Sequence, residues 1–372
     1  MANFFDNIFS KISGNINNSV IGVDIGSSSI KVVQLKKKSG KAILQTYGEI
    51  ALGPYAGIEI GRATKLTADK IAGALIDLLK EANVSTPDSA LSIPMRSSMV
   101  SVFKMPAVMK DRQLSQMIPI EARKYIPVPI AEVTLDWFVI PKITNDDDEE
   151  EDKHLKGFQE IMTVAIHNDV LNDFNTIINQ THLKTSFFEV EMFSTARSVL
   201  EPNYLMPVMI IDIGAGATKV YITERGVIRD SHIISRGSQD ITLALSKALN
   251  VAVDFAEKLK RSYGNNSPQQ DQIISDIVET NMNPIFSDAN SILLKFQKEH
   301  NKNIAKVLLT GGGALLRGLP EKGQQKFGIA TTISNPFDKV ETPAFLATVL
   351  EQTGVMFAGA IGLAMRKLQE LD

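Results

Sequence analysis

The chain contains no cysteine, a single tryptophan, and aromatic residues at only 6% of its 372 positions. The missing cysteines exclude disulfides, thiol nucleophiles and thiolate-bound zinc in one step, and they suit a reducing compartment. Histidines are few: His154, His167, His182, His232 and His300 lie too far apart in sequence to suggest a metal site or a catalytic triad. An excess of one charge is also lacking. With 39 Lys and Arg against 42 Asp and Glu, the net charge is −3, so neither a nucleic-acid groove nor a strongly basic membrane surface is expected. No apolar run is long enough to span a bilayer. The longest, Val355 to Met365, has 11 residues, against the roughly 20 that a spanning helix needs. It contains Gly359 and Gly362 and predicts a buried, closely packed helix. Met1 to Ser19 lacks the continuous apolar centre of a secretory signal. Phe4, Phe5, Ile8, Phe9 and Ile12 would share one helical face, but no basic face accompanies them, so docking on the protein itself is the simpler expectation.

What is present begins with size. A chain of 372 residues, 44% hydrophobic and 22% charged, has an ordinary globular composition and exceeds what one core usually serves, so two or more lobes are expected. The informative feature is an internal repeat. Residues 24–33 read Asp-Ile-Gly-Ser-Ser-Ser-Ile-Lys-Val-Val, and residues 212–221 read Asp-Ile-Gly-Ala-Gly-Ala-Thr-Lys-Val-Tyr. Without gaps, five of ten positions are identical. Each copy follows an apolar strand-like run, Val20–Val23 or Val208–Ile211, and continues into another, Ile30–Leu35 or Thr218–Thr223. Small residues between two strands signal a hairpin, and a repeat so far apart signals duplicated lobes. Gly26 and Gly214 would let backbone approach a phosphate, with amides of Ser27, Ser28 and Ser29, and of Ala215, Gly216 and Thr218, around its oxygens. Lys31 and Lys219 stand five residues after each glycine. Asp24 and Asp212, at strand ends, are the candidate ligands of a magnesium ion, directly or through water. Neither turn is a Walker P-loop, since neither carries Gly-Lys-Ser/Thr or leads into a helix. A third cluster, Gly311-Gly312-Gly313-Ala314, follows the apolar run Val307–Leu309 and leaves room for a flat ring or a phosphate.

In this order, the three segments resemble the phosphate-1, phosphate-2 and adenosine motifs of the actin/Hsp70/sugar-kinase superfamily. That resemblance implies an α/β fold of two similar lobes closing on ATP and Mg²⁺. It also identifies Phe188–Phe193 and Gly359–Ala364 as connecting segments. Glu191 would order the magnesium shell or the attacking water, as the one catalytic candidate. Met192 stands where close relatives often have Pro. Glu257 and Lys260 would contact ribose and adenine.

Within that superfamily, Glu121-Ala-Arg-Lys-Tyr-Ile-Pro-Val-Pro-Ile130, followed by Glu132–Asp136, resembles the PilM family of type IV pilus assembly proteins, relatives of the division protein FtsA. The resemblance runs from about residue 20 to 368. It implies an FtsA-like 1C subdomain at 88–167 inserted in a lobe I core of 20–87 and 168–200. An N-terminal segment (1–19), lobe II at 201–342 and a C-terminal helix at 343–372 packing back on lobe I complete the layout. The acidic run Asp146–Asp152 is expected to be a solvated loop. The implied function is a cytoplasmic ATP-binding scaffold, peripheral to the inner membrane. It would grip the N-terminal tail of a PilN-like membrane protein and meet other pilus assembly proteins, without touching nucleic acid and reaching the membrane only through its partner. The helix at 110–124 and Tyr125–Ile130 would wall the groove. ATP turnover would be slow at most. Two alternatives stay open: an FtsA-like filament or division protein, and a small-molecule kinase. The kinase lacks an evident general base beyond Glu191 and the two hairpin aspartates.

Overall fold

The computed structural model describes residues 18–141 and 157–371. The expected N-terminal helix face and the run Asp146–Asp152 lie outside them. The first sheet has the order β3-β2-β1-β4-β8, from β1 (Ser19–Ile25), β2 (Ser29–Lys38), β3 (Lys41–Ala51), β4 (Asp88–Ile93) and β8 (Lys184–Val190). The second has the order β11-β10-β9-β12-β13, from β9 (Val208–Ile213), β10 (Thr218–Glu224), β11 (Val227–Ile234), β12 (Lys306–Thr310) and β13 (Thr331–Ile333). Both run as an antiparallel meander of three strands and then two parallel ones. The repeat read in the sequence is therefore a repeat of topology. Its register is also shared: Asp24 faces Lys31 across the first hairpin, and Asp212 faces Lys219 across the second.

Strand β1 is buried on both faces, as expected of a strand covered by helices on both sides. Ile21, Val23 and Ile25 pack under α1 (Ala68–Glu81) and α3 (Asn168–Thr181). Val20 points the other way, with Gly22 and Asp24, toward α10 (Ala358–Gln369). Helix α10 in turn rests on α4 (Glu191–Val199). The stretch Ala344–Gln369 is long and apolar enough by composition to cross a membrane, yet its apolar residues from Ala358 to Ala364 are buried in this interior packing. It is also not one helix: α9 (Ala347–Thr353) and α10 are separated by a 3₁₀ turn, Gly354–Phe357.

Two expected boundaries shift. Strand β4 pairs with β1 and β8 in the first sheet, so the inserted unit begins after it rather than at residue 88. The reason is burial: Ser89–Ile93 is enclosed on both faces as only a central strand is. The return to lobe I also precedes residue 343, because Glu341 already exchanges backbone hydrogen bonds with Ala42 and Leu44 beside β3.

The inserted unit is a small sheet of order β5-β7-β6, made of β5 (Ser98–Pro106), β6 (Val133–Val139) and β7 (Phe158–His167), with α2 (Asp111–Ala122) on one face. Its other face is not free. Val100, Val102, Met162 and Val164 pack against Val208, Ile210, Tyr221 and Leu308 of the second sheet, and Arg229 of β11 donates to Glu160 of β7 at 2.6 Å. Lobe II itself is filled by α5 (Ser238–Leu249), α6 (Val253–Arg261), the long α7 (Pro268–His300) and α8 (Leu319–Phe327).

The contact of α10 on β1 permits no side chain at Gly22, where a Cβ would lie 2.0 Å from the Ala360 carbonyl oxygen. Gly22→Ala is expected to destabilise by about 1–3 kcal/mol, the usual cost of overpacking. Gly73, inside α1, has nothing within 4 Å of such a Cβ, and Gly73→Ala should stabilise by roughly 0.5–1 kcal/mol. Urea unfolding of the two variants measures both, and opposite signs are required.

Candidate functional site

The carboxyl ends of β1, β4, β8, β9 and β12 converge between the two sheets, the usual place for a ligand crevice in open α/β sheets. Each lobe contributes a glycine turn of the same form. Gly26 N–H donates to the Ser29 carbonyl at 3.0 Å, and Gly214 N–H to that of Ala217 at 3.0 Å. The two tips face each other: a Cβ on Gly216 would come within 3.3 Å of Ser27 Oγ and 3.1 Å of Ala63 Cβ. The second turn also seats α5, whose first amides, Ser238 and Gln239, donate to the carbonyls of Gly214 and Ala215. The positive end of that helix thus stands directly behind the turn.

Both aspartates are backed by a glycine from elsewhere. Gly359 of α10 lies so close to Asp24 that a Cβ would sit 3.0 Å from its carboxyl carbon. Gly311, at φ 80°, would bring a Cβ to 2.3 Å from Asp212 Oδ1. Asp24 accepts a 2.6 Å hydrogen bond from Ser92 Oγ on β4. Asp212 lies 3.3 Å from Lys219 Nζ. Glu191, the first residue of α4, accepts from the Met95 amide at 2.8 Å and from Lys219 Nζ at 2.8 Å. This last bond joins the lobes.

Burial pushes Glu191 above the ordinary carboxylate range; the nearby charges of Asp212 and Asp24 add to this, and Lys219 only partly offsets it. Burial works against the Lys219 ammonium too, but Asp212 and Glu191 outweigh it and hold the lysine firmly charged. Among the described residues, no three acidic or histidine side chains converge into a metal cage. A divalent ion here would complete its shell with water and phosphate oxygens, which is the habit of Mg²⁺. Bare glycine turns from both lobes, carboxylates and one ammonium form a donor set that fits a polyphosphate with such an ion.

The other expected residues divide. Lys31 turns to Glu49 of β3 at 3.2 Å and to Ser29 Oγ at 2.7 Å, not to the cluster around Glu191. Thr218 donates to the Arg236 carbonyl, a structural tie. Glu257 and Lys260 are both buried and bonded to each other at 2.7 Å, with Thr242 bridging them and Arg261 on the outer oxygen. Despite its burial, Lys260 and its other donors hold Glu257 below the usual carboxylate range. Of the glycine triplet, Gly311 and Gly313 are explained by packing on Asp212 and Ile213, and Gly312 alone has an open face, with Met356 its nearest neighbour. Sequence reasoning missed Ser92, a lone polar residue inside an apolar strand, which was a readable signal. It also missed the loop at residues 61–63, which crosses the cleft: Ala63 N–H donates to Gln239 Oε1 at 2.8 Å, and Gly61 lies against Glu257. Nothing local marks that contact.

The sequence model of the type IV pilus assembly protein PilM family matches residues 22–368. The cell division protein FtsA of Streptococcus pneumoniae is 22% identical over 355 residues, covering 87% of this chain and 77% of FtsA. A solved PilM–PilN type IV pilus biogenesis complex superposes with a TM-score of 0.77 at 22% identity, over 94% of this chain and 98% of that one. MreB5 of Spiroplasma citri bound to ADP superposes with a TM-score of 0.50 at 12% identity, over 95% and 99%. The two-lobed fold is thus the actin/Hsp70-like one, as the repeat led us to expect, and folds of this class typically bind nucleotide.

The raised position of Glu191 has a testable sign. The folded chain holds the Glu191 proton more tightly than the unfolded chain does, so ionised Glu191 costs stability, increasingly as pH rises from about 4.5. Glu191→Gln should therefore melt at the same or a higher temperature than wild type at pH 8, with the gap closing toward pH 4.5 in thermal scans. A variant that melts several degrees lower at pH 8 would refute this balance.

Proposed function

From the premise that the chain belongs to the type IV pilus assembly protein PilM family, we propose that it is an ATP-binding scaffold at the cytoplasmic face of the inner membrane, holding the N-terminal tail of a PilN-like protein. The observation that carries the nucleotide half is the interlobe cluster of Asp24, Asp212, Glu191 and Lys219 beneath two opposed glycine turns. In this reading Asp24 and Asp212 hold water of a Mg²⁺ shell, and the turns at Gly26–Ser29 and Gly214–Ala217 cradle phosphates. Lys31 and Lys219 lend positive charge, and Gly311–Ala314 with Glu257 and Lys260 border the nucleoside. The bound ion would neutralise phosphate charge. Glu191 is the candidate to orient a water, and it is already engaged by Lys219 and the Met95 amide. Hydrolysis is accordingly slow, below the roughly 1–10³ s⁻¹ of ordinary enzymes.

The partner half rests on the inserted unit. Segment 125–130 alternates: Ile126 is in the core, Val128 and Ile130 pack against it, and Tyr125, Pro127 and Pro129 face outward. Ile126 thus packs the inserted unit, and the outward residues of Tyr125–Ile130 are the ones that would wall the groove. Tyr125 stacks on Phe103 with ring centroids 5.3 Å apart, which fixes its orientation while leaving it about half exposed. Met117 and Ile120, three residues apart on the exposed face of α2, and Arg123 extend the outward surface. A rigid aromatic with prolines and an adjoining apolar helix face is the kind of surface that anchors an extended peptide.

Two titrations test the two halves separately. Mg²⁺–ADP should bind wild type and bind at least tenfold more weakly to Asp24→Ala and to Asp212→Ala. Absence of any adenine nucleotide binding by the folded protein would remove the first half. A peptide with the N-terminal tail sequence of the PilN-like protein should bind wild type and lose most of its affinity for a Tyr125→Ala, Arg123→Glu double variant that still binds nucleotide. Undiminished binding would place the partner elsewhere, and a wild type that binds no tail would favour the FtsA-like reading.

A further inference from the structure

The two hairpin lysines occupy the same slot of the repeat and do different things. Lys31 pairs within its own sheet, with Glu49. Lys219 leaves its sheet's surface and crosses to Glu191 of the other lobe, while remaining 3.3 Å from Asp212. The hairpin therefore does not require an inward lysine; the cluster uses one. The acidic oxygens around it are fixed independently of it: Glu191 Oε1 by the Met95 amide, Asp24 by Ser92, and Asp212 by the close approach of Gly311. Asp24 is also near enough to act electrostatically on Lys219 and Glu191. One ammonium thus pairs with two carboxylates, Glu191 and Asp212, while Asp24 acts on it from farther away, and the three acids outnumber it. A second buried polar group stands in the same field of charge. The Tyr221 hydroxyl, on the same strand face two residues on, is buried and makes no hydrogen bond, although Thr195 lies near, and it feels the charges of the same acids.

We propose that the Lys219 ammonium is a built-in counter-cation. It sits between the Glu191 and Asp212 carboxylates, in the field of Asp24, and keeps free divalent ions out, so that a divalent ion enters only with a polyphosphate. This deepens the nucleotide reading above and rests on it for the nucleotide, though not for the ion. Removing a unit charge about 4 Å from a divalent ion is worth more than tenfold in affinity even at the screening of water. Lys219→Met should create a divalent site at the very place wild type excludes one.

The test is Mn²⁺ binding to the full chain without nucleotide, followed by electron paramagnetic resonance, with circular dichroism to check folding. Wild type should bind Mn²⁺ weakly, and Lys219→Met at least tenfold more tightly. The double variant Lys219→Met, Glu191→Gln, which restores the net charge but loses a ligand, should return close to wild type. Lys219→Gln, which can still hydrogen-bond to Glu191, replaces Lys219→Met if the latter fails to fold, with the same expectation. Equal Mn²⁺ affinity in wild type and the folded single variant overturns the proposal. A parallel Mg²⁺–ADP titration separates the two ideas. Nucleotide binding with unchanged Mn²⁺ affinity sinks the counter-cation alone. A gain in Mn²⁺ without nucleotide binding sinks the nucleotide reading alone.

Discussion

Helix α10 lies closer to its neighbours than any side chain would allow, and the position of the site follows from that. Gly22 admits it against β1, and Gly362 against α4, where a Cβ would fall 1.8 Å from the Ser194 carbonyl oxygen. The same helix brings Gly359 against the Asp24 carboxylate. Three glycines on two elements thus fix the distance between the end of β1 and the start of α4, which is the distance between Asp24 and Glu191. A core packed this tightly is not continuously deformable. The carboxylates inherit its rigidity rather than depending on one another to stay in place.

That matters because the charges themselves are poor cement. A buried ion pair sacrifices hydration that its Coulomb attraction repays only with good geometry. Here burial first, with the charges of Asp212 and Asp24 adding to it, pushes Glu191 up against the pull of Lys219. Two other buried carboxylates are fully met by donors. Glu189 receives two hydrogen bonds from Arg197 and one from Arg366, and Glu257 is met by Lys260, Arg261 and Thr242. The crevice between the lobes differs from both in holding more acids than its one ammonium meets.

How much of this was legible depended on whether the signal was local. The hairpins were readable because their chemistry is contiguous: an aspartate at a strand end, a glycine turn, a lysine facing the aspartate. The partners of those residues were not. Lys31 and Lys219 are indistinguishable in their repeats, and their fates are decided by Glu49 on a neighbouring strand and Glu191 on another lobe. The triplet Gly311–Gly313 looked like a ligand contact throughout, yet two of its members are accounted for by Asp212 and Ile213 pressing on them. Strand β4 was grouped with β5 because they are adjacent in sequence, whereas its pairing with β1 and β8 depends on residues some 70 to 100 positions away. The alternation of Tyr125 to Ile130 was present in the sequence as a period of two and could have separated the core residues from the exposed ones.

The inserted sheet lies against both lobes at once. Its Met162 and Val164 face rests on the second sheet, in the same apolar cluster that contains Tyr221, two residues from Lys219, and Met192, next to Glu191. Its other face carries Leu114, Ile118 and Ile126, whose segment presents Tyr125 outward. A rotation of lobe II cannot leave the inserted sheet behind without exposing that cluster and parting Arg229 from Glu160. The apolar contact opposes such separation in proportion to its area, and the same cluster takes in Val190, Met192 and Ala196 of lobe I, so the crevice bonds of Lys219 to Glu191 and of Ala63 to Gln239 stand beside an apolar seam shared by both lobes and the inserted sheet.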